Sequence, residues 1–158
     1  MSGMHSGYRM RFLCDPNLGK LAKWLRILGY DAEYMASWND DRITQAIAES
    51  RTVLTRKTIA GPCSDIVHIH NDHVREQLKE LFRSLHIREI PQPFTRCSIC
   101  NTLLISASPE SVHGLIPDYV QSTHDGFARC PSCNRTYWKG THISGIYDMI
   151  DHLLKEKT

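Results

Sequence analysis

The sequence predicts an α/β fold with a mainly parallel sheet, followed by a small C-terminal zinc ribbon. In the first half of the chain, short apolar runs alternate with amphipathic helical patterns, as in strand–helix–strand units. In the second half, two Cys-x-x-Cys pairs occur at 97–100 and 130–133. We predict an α/β domain over residues 8–90, a ribbon over 94–142 and a final helix over 143–158.

Composition agrees with a folded protein of this size. With 158 residues, 41% hydrophobic and 23% charged, the chain accommodates one compact domain plus a small module. The net charge of +2 permits nucleic-acid binding without arguing for it. No apolar run is long enough to span a bilayer, and the opening MSGMHSGYRM lacks the apolar core of a signal peptide. We therefore expect no membrane contact and a location in the reducing cytoplasm.

The first strand–helix–strand unit runs from Phe12 to Tyr34. An apolar run over 10–14 predicts a buried strand, and Asp31 begins the next extended run. Gly29 stands where a left-handed helix C-cap is expected. The helix between the strands has one apolar face, formed by Leu18, Leu21, Ala22, Leu25 and Leu28.

Asp15, which follows the first strand, fits two roles. Aspartate is a preferred N-cap, and Pro16 suits a first helical position. The turn after the first strand also lies at the carboxyl edge of a parallel sheet, where ligands usually bind. A capping aspartate at this edge can also hold a metal ion.

The rest of the first domain continues the alternation. Residues 37–41 have the polar character of a helix start, 52–55 and 66–70 are strand candidates, and Asn71 with Asp72 can cap the next helix. That helix carries an apolar face formed by Val74, Leu78, Leu81, Phe82 and Leu85. The final helix has an apolar line of Ile143, Ile146, Ile150 and Leu153.

Four acids follow strands or begin helices in this arrangement: Asp15, Asp40, Asp41 and Asp72. Converging carboxylates bind Mg²⁺ or Mn²⁺, which in a nuclease activate water and stabilise the leaving oxygen. Helix capping explains each position equally well. His68 and His70 share one face of a strand, whereas His73 lies beyond a turn. Because cysteine ligands for zinc are available elsewhere, the three are interpreted as surface or satisfied histidines.

The two cysteine pairs have the spacing of zinc knuckles, with disulfides or an iron–sulfur cluster as alternatives. Four thiolates from Cys97, Cys100, Cys130 and Cys133 would close the shell around a structural zinc ion. The ribbon could bind nucleic acid, bind a protein partner, or only brace the fold. Basic and aromatic residues beside the knuckles suit RNA contacts, although the aromatic rings could instead pack the small core. These residues are Arg96, Arg129, Arg135, Tyr137, Trp138 and Lys139.

Six segments of the chain form a recognisable set: 12–15 (FLCD), 18–31 (LGKLAKWLRILGYD), 51–56 (RTVLTR), 96–101 (RCSICN), 130–133 (CPSC) and 137–142 (YWKGTH). Through these segments the chain resembles the Mut-seven C-terminal ribonuclease domain family over nearly its whole length. The resemblance implies a PIN-like three-layer α/β fold with a zinc ribbon, an RNA substrate and a carboxylate-bound Mg or Mn ion. It makes Asp15 a site residue as well as a candidate cap.

One position departs from the family pattern. The family usually reads Leu-Thr-Arg-Asp where this chain has Leu54-Thr55-Arg56-Lys57. A lysine therefore replaces an acid of the implied metal cluster, and its ammonium can occupy a cation's place or bind phosphate. Asp65 or Asp72 are the acids available to compensate.

Two functions follow from these observations. The first is a metal-dependent ribonuclease in which Asp15 holds the metal, assisted by Asp40 or Asp41 and by Asp72. The second is an RNA- or protein-binding module that has kept the fold and lost the chemistry, as Lys57 suggests; a toxin-like nuclease is a further reading. His142 fits a phosphate contact or a cap of the last helix. The candidate RNA-binding residues are Lys20, Arg26, Arg56, Lys57, Trp138 and His142.

Overall fold

A computed structural model describes residues 10–59, 63–140 and 143–155. The first part of the chain contains four strands and three helices, in alternating order except between β3 and β4. They are β1 (Arg11–Cys14), α1 (Gly19–Ile27), β2 (Asp31–Tyr34), α2 (Asp40–Ala48), β3 (Thr52–Thr55), β4 (Ile66–His68) and α3 (Val74–Ser84). The remaining elements are β5 (Ile105–Ala107), α4 (Asp118–Thr123), β6 (Phe127–Arg129), β7 (Thr136–Trp138) and α5 (Ile143–Lys155).

The four strands β1 to β4 form one parallel sheet in the order β2-β1-β3-β4. Along β1, Phe12 and Cys14 pack with α1, α3 and α5, whereas Leu13 packs with α2 on the opposite face. Because both faces are covered, the last three residues of β1, 12–14, are all apolar and buried. The predicted α/β fold with a parallel sheet is confirmed, and the helices and sheet form three layers.

Helix α1 confirms its predicted apolar face, since all five residues of that face are buried. Its start was predicted wrongly: the helix begins at Gly19 instead of Pro16. Before the helix the chain makes a turn, in which the Leu18 amide donates a hydrogen bond to the Asp15 carbonyl at 3.0 Å. Gly29 lies just after the end of the helix with φ +100°, and a Cβ there would lie 2.4 Å from the Gln92 carbonyl oxygen. Glycine is therefore needed for both its conformation and its size.

The predicted start of α2 is confirmed, because the Asn39 side chain accepts the Arg42 amide at 3.0 Å. The predicted cap of α3 is wrong. His73 occupies the cap position without a side-chain hydrogen bond, and Asp72 pairs with Arg56 instead. The preceding strand β4 is also shorter than expected, ending at His68.

The second part of the chain forms an antiparallel sheet in the order β5-β6-β7. Helix α5 returns to the first sheet, where Met149, Ile150 and Leu153 join the main core beside α3. The C-terminal helix therefore packs on the first part of the chain, beside α3. In the described segments, no helix has both the length and the apolar character needed to cross a membrane.

Candidate functional site

The carboxyl edge of the parallel sheet has a switch point between β1 and β3. From β1 the chain continues to β2 on one side, and it later returns to β3 on the other side. Helices that leave on opposite faces open a crevice at such a point, which is where open α/β sheets bind ligands. Asp15 follows β1 directly, and Arg56 and Lys57 follow β3, so the sequence places charged residues there.

Asp15 is fully buried at this point and ties the two strand ends together. Its Oδ2 accepts hydrogen bonds from the Thr55 hydroxyl and the Arg56 amide, each at 2.8 Å. Its Oδ1 accepts from the Asn17 amide at 2.7 Å. The aspartate thus caps the turn before α1 and, at the same time, joins β1 to β3.

Arg56, whose backbone amide bonds to Asp15, also contacts Asp72, another acid of the predicted metal site. Its guanidinium donates to Asp72 at 2.6 Å and also to the Asn71 carbonyl oxygen. The Asp72 side chain is 83% exposed, so this ion pair lies in solvent and stabilises little.

Lys57 points the other way, toward α2. Its ammonium lies 4.0 Å from the centre of the Trp38 ring, a cation–π contact. The Trp38 Nε1–H donates to Asp40 Oδ1 at 2.9 Å. Residues 55–57 are therefore connected with Asp15, Asp72 and Asp40, whereas Asp41 is exposed on the first turn of α2.

These acids do not form a ready shell for a divalent ion. In the described part of the chain, the four cysteines are the one group of three or more potential ligands whose atoms lie within 4.8 Å of one another. An ionised carboxylate offers about four lone-pair sites, and Asp15 already uses three of them. A single buried lone pair does not hold Mg²⁺ or Mn²⁺, so the residues present do not fit that cofactor in this conformation.

His68 and His70 beside this edge are engaged in a hydrogen-bonded chain. His68 Nε2 lies 2.9 Å from the Arg56 carbonyl, His68 Nδ1 lies 2.8 Å from His70 Nε2, and His70 Nδ1 lies 2.7 Å from Glu80. Burial raises the pKa of Glu80, but hydrogen bonds from His70 and Asn71 outweigh it and lower that pKa below its usual value. Each of the four ring nitrogens of the two histidines has a hydrogen-bond partner in this chain. Both histidines are therefore satisfied by protein partners.

The four cysteines of the ribbon fit a metal ion. Their sulfur atoms lie within 4.8 Å of one another, and the Cys97 and Cys133 sulfurs are 3.8 Å apart. Zn–S bonds of about 2.3 Å place the sulfurs of a tetrahedral site ~3.8 Å apart. The donor set and spacing suit a structural metal such as zinc, and a closed four-sulfur shell leaves no position for catalytic water.

Tyr137 supports this site from outside the shell. Its hydroxyl lies 2.9 Å from the Cys97 sulfur. Burial raises the pKa of Cys97, but hydrogen bonds from Tyr137 and from the amides of Cys100 and Ile99 outweigh it and lower the pKa to about 6. Thiolate is the metal-binding form, so Tyr137 favours metal binding at neutral pH.

The first knuckle also docks on the parallel sheet, a contact that sequence reasoning missed. The Asn101 Nδ2 donates to Asp31 at 2.7 Å, and its Oδ1 accepts the Ala32 amide at 3.0 Å. Asp31 also receives Arg51 in a two-pronged pair at 2.9 and 3.1 Å. Burial raises the pKa of Asp31, but the bonds from Arg51 and Asn101 outweigh it and lower that pKa.

Arg26, a predicted RNA-binding residue, belongs to the same contact. Its guanidinium is buried and donates to the Ala32 carbonyl at 2.8 Å and to the Ser98 and Ile99 carbonyls at 3.1 and 3.0 Å. Ala32 lies on β2, an outer strand of the sheet, so the knuckle covers an edge that would otherwise be open. We leave Arg26 out of the proposed RNA-binding set. The sequence feature that could have indicated this contact is the position of Asn101 directly after the first cysteine pair.

The other predicted RNA-binding residues lie in separate places. Lys20 is exposed on the first turn of α1, near the carboxyl edge, and Arg56 and Lys57 lie at that edge. Trp138 is 36% exposed on β7 of the ribbon. His142 lies outside the described residues. The carboxyl edge and the ribbon are thus two distinct candidate surfaces for RNA.

The comparisons with known proteins bear on the class of activity. No curated protein and no solved structure gives a significant match to this chain. The family model of the Mut7-C RNAse domain matches residues 10–150, which include both the carboxyl edge and the four cysteines. That match indicates a ribonuclease-type function and RNA as ligand. The chain belongs to the Mut7-C RNAse domain family.

Proposed function

We propose that this protein binds RNA and cleaves its phosphodiester bonds at the carboxyl edge of the parallel sheet. The observation that supports this most is the position of Asp15 at the switch point between β1 and β3, in a chain of an RNAse family. Thr55 and the Arg56 amide hold Asp15 in place, so the two strand ends form a fixed platform.

Positive groups around this platform suit a phosphate backbone. Lys57 and Lys20 are exposed, and Arg56 is half-buried beside them. Helix α1 starts here without a side-chain cap and without an acid in its first turn. Its amide groups therefore offer a favourable field to a phosphate.

The resemblance implies that Mg or Mn assists cleavage, with Asp40, Asp41 and Asp72 joining Asp15. Because the described acids do not form a shell, we assign no step of the reaction to a metal ion. A cytoplasmic location is part of the proposal, since the ribbon requires reduced cysteines to bind zinc. A protein partner for the ribbon stays a prediction.

A second function, RNA binding without cleavage, is favoured by one specific residue. Lys57 stands where the resembling family usually has an acid, and its ammonium is held on Trp38. A cation at that position opposes metal binding and still binds phosphate.

The substitution Lys57→Asp separates the two functions, with Lys57→Ala as the control. Single-stranded RNA is incubated with each protein, with added manganese and without it, and the products are resolved on a gel. If Lys57 weakens a working site, wild type cleaves slowly and Lys57→Asp cleaves at least about tenfold faster with manganese, equivalent to about 1.4 kcal/mol of barrier. Lys57→Ala should gain less.

Absence of cleavage by wild type and Lys57→Asp, with RNA binding retained, would establish the binding module instead. Cleavage by wild type that Lys57→Asp does not change would show that the residue is outside the reaction.

A further inference from the structure

An open cavity lies where the ribbon meets the final helix. Its volume is about 510 Å³, and its walls come from β6, β7, the start of α5 and the segment around Phe94. Cavities that hold small ligands typically measure roughly 300–1,000 Å³. The cavity is large enough for one residue of a polymer, and it is separate from the carboxyl edge around Asp15.

The cavity walls combine aromatic rings with positive charge. Phe94, Phe127 and Trp138 line it, together with the ring of Tyr137, whose hydroxyl is already bonded to Cys97. Tyr147 and Phe94 pack edge to face with ring centres 5.8 Å apart, which holds that wall in place. Aromatic walls of this kind stack on bases of any sequence.

The charged residues of the cavity favour an anion. Arg96 and Lys139 contribute two cations, and Asp125 contributes one carboxylate. Within the described residues, the buried Nε–H of Arg96 has no acceptor, although its Nη1 donates to the Asn101 carbonyl at 2.9 Å. The Nε atom is shielded from the cavity, so the attraction for an anion comes from the charge of two cations over one carboxylate.

We propose that this cavity binds an unstacked base of single-stranded RNA, with the adjoining phosphate held by Arg96 and Lys139. The proposal rests on the proposed function, because it takes RNA as the ligand. A base inside a duplex is stacked on both faces and cannot enter, whereas a single strand can splay a base into the cavity. An apolar peptide would match the rings but would leave the two cations without a partner.

Binding is measured with a fluorescently labelled short single-stranded RNA, without added magnesium or manganese, and intact RNA is verified on a gel. We expect Trp138→Ala to weaken binding by about 5- to 150-fold, the usual effect of losing one stacking platform. Trp138→Phe keeps a ring and should stay within a few-fold of wild type. Zinc content and thermal unfolding are measured for each variant, so that a misfolded ribbon is recognised.

A charge-matched pair tests the phosphate contact. Lys139→Ala removes a cation from the cavity, and Arg135→Ala removes one from an exposed ribbon position that does not line it. We expect Lys139→Ala to weaken binding more than Arg135→Ala does. It should also reduce the slope of the logarithm of the binding constant against the logarithm of the salt concentration by about one. RNA carrying 4-thiouridine should crosslink to the peptide over residues 127–140.

The outcomes separate this proposal from the cleavage proposal. Unchanged binding by folded Trp138→Ala, or crosslinks only outside the cavity-lining segments 94–98, 124–140 and 143–146, would overturn the cavity assignment even if the protein cleaves RNA. Binding that depends on Trp138, in a protein that cleaves nothing, would support the cavity and reject cleavage. Failure of the wild type to bind any single-stranded RNA would overturn both the cleavage proposal and the cavity proposal. A preference for duplex RNA would show that the cavity does not take an unstacked base.

Discussion

At Asp15, one side chain serves local and tertiary structure together. Its carboxylate accepts three hydrogen bonds while fully buried, and two of the donors come from residues about forty positions later. Local sequence indicates only the turn, because the Thr55 and Arg56 donors are brought to Asp15 by strand pairing. The residue type and its edge position were therefore predictable, whereas its partners were not.

The substitution Asp15→Asn should destabilise the fold. Asparagine has the same size but presents an NH₂ group to donors, so at least one hydrogen bond to a charged acceptor is lost. We expect the free energy of unfolding in urea to fall by about 1.5–3 kcal/mol. The matched variant Asp72→Asn, at an exposed ion pair, should lose less than about 1 kcal/mol. Equal losses for the two variants would contradict the role of Asp15 as a tie between strands.

Among the elements, the two knuckles are alike in backbone and differ in their contacts. Asn101 follows the first pair and Asn134 the second, with φ of +68° and +62°. Each amide donates to the carbonyl of the first cysteine of its pair, at 2.9 and 2.8 Å. Of these two asparagines, Asn101 is the one bonded to β2, because only the first knuckle lies at the outer edge of the parallel sheet.

The pair Asn101→Gly and Asn134→Gly tests that docking contact. Glycine tolerates the left-handed conformation in both cases, so the two variants differ mainly in the hydrogen bonds lost. We expect Asn101→Gly to lose about 1–3 kcal/mol more in urea unfolding, because the Ala32 amide and Asp31 lose a partner. If Asn134→Gly loses as much, the side-chain contacts of Asn101 contribute nothing to stability.

For the whole molecule, metal binding is coupled to the stability of the parallel sheet, because the first knuckle holds metal ligands and also contacts β2. Little apolar core supports the ribbon, so the metal should supply much of its folding free energy. When the knuckle loses its shape, Arg26 loses the Ser98 and Ile99 carbonyls. The Asp31 carboxylate and the Ala32 amide of β2 then lose their bonds to Asn101.

We therefore expect metal removal to loosen one edge of the sheet. After chelation, hydrogen exchange of the peptide containing β2 should accelerate, whereas the peptide containing β4, at the opposite edge, should stay protected. The metal content before chelation should be about one zinc ion per chain. Equal acceleration at both edges would show that the sheet unfolds as a unit, and no acceleration at β2 would show that the knuckle does not protect it.

Local sequence was enough to predict the alternation of strands and helices, the buried faces of α1 and α3, the helix cap at Gly29 and the four-cysteine set. These features depend on spacing along a few neighbouring residues, which sequence displays directly. Contacts between distant parts of the chain became visible only in the fold. It buried Arg26 beneath the knuckle, left the predicted acids without a common centre, and placed aromatic rings and cations around one cavity. The physical reason is that such contacts depend on strand order and on helix return, which bring together residues far apart in sequence.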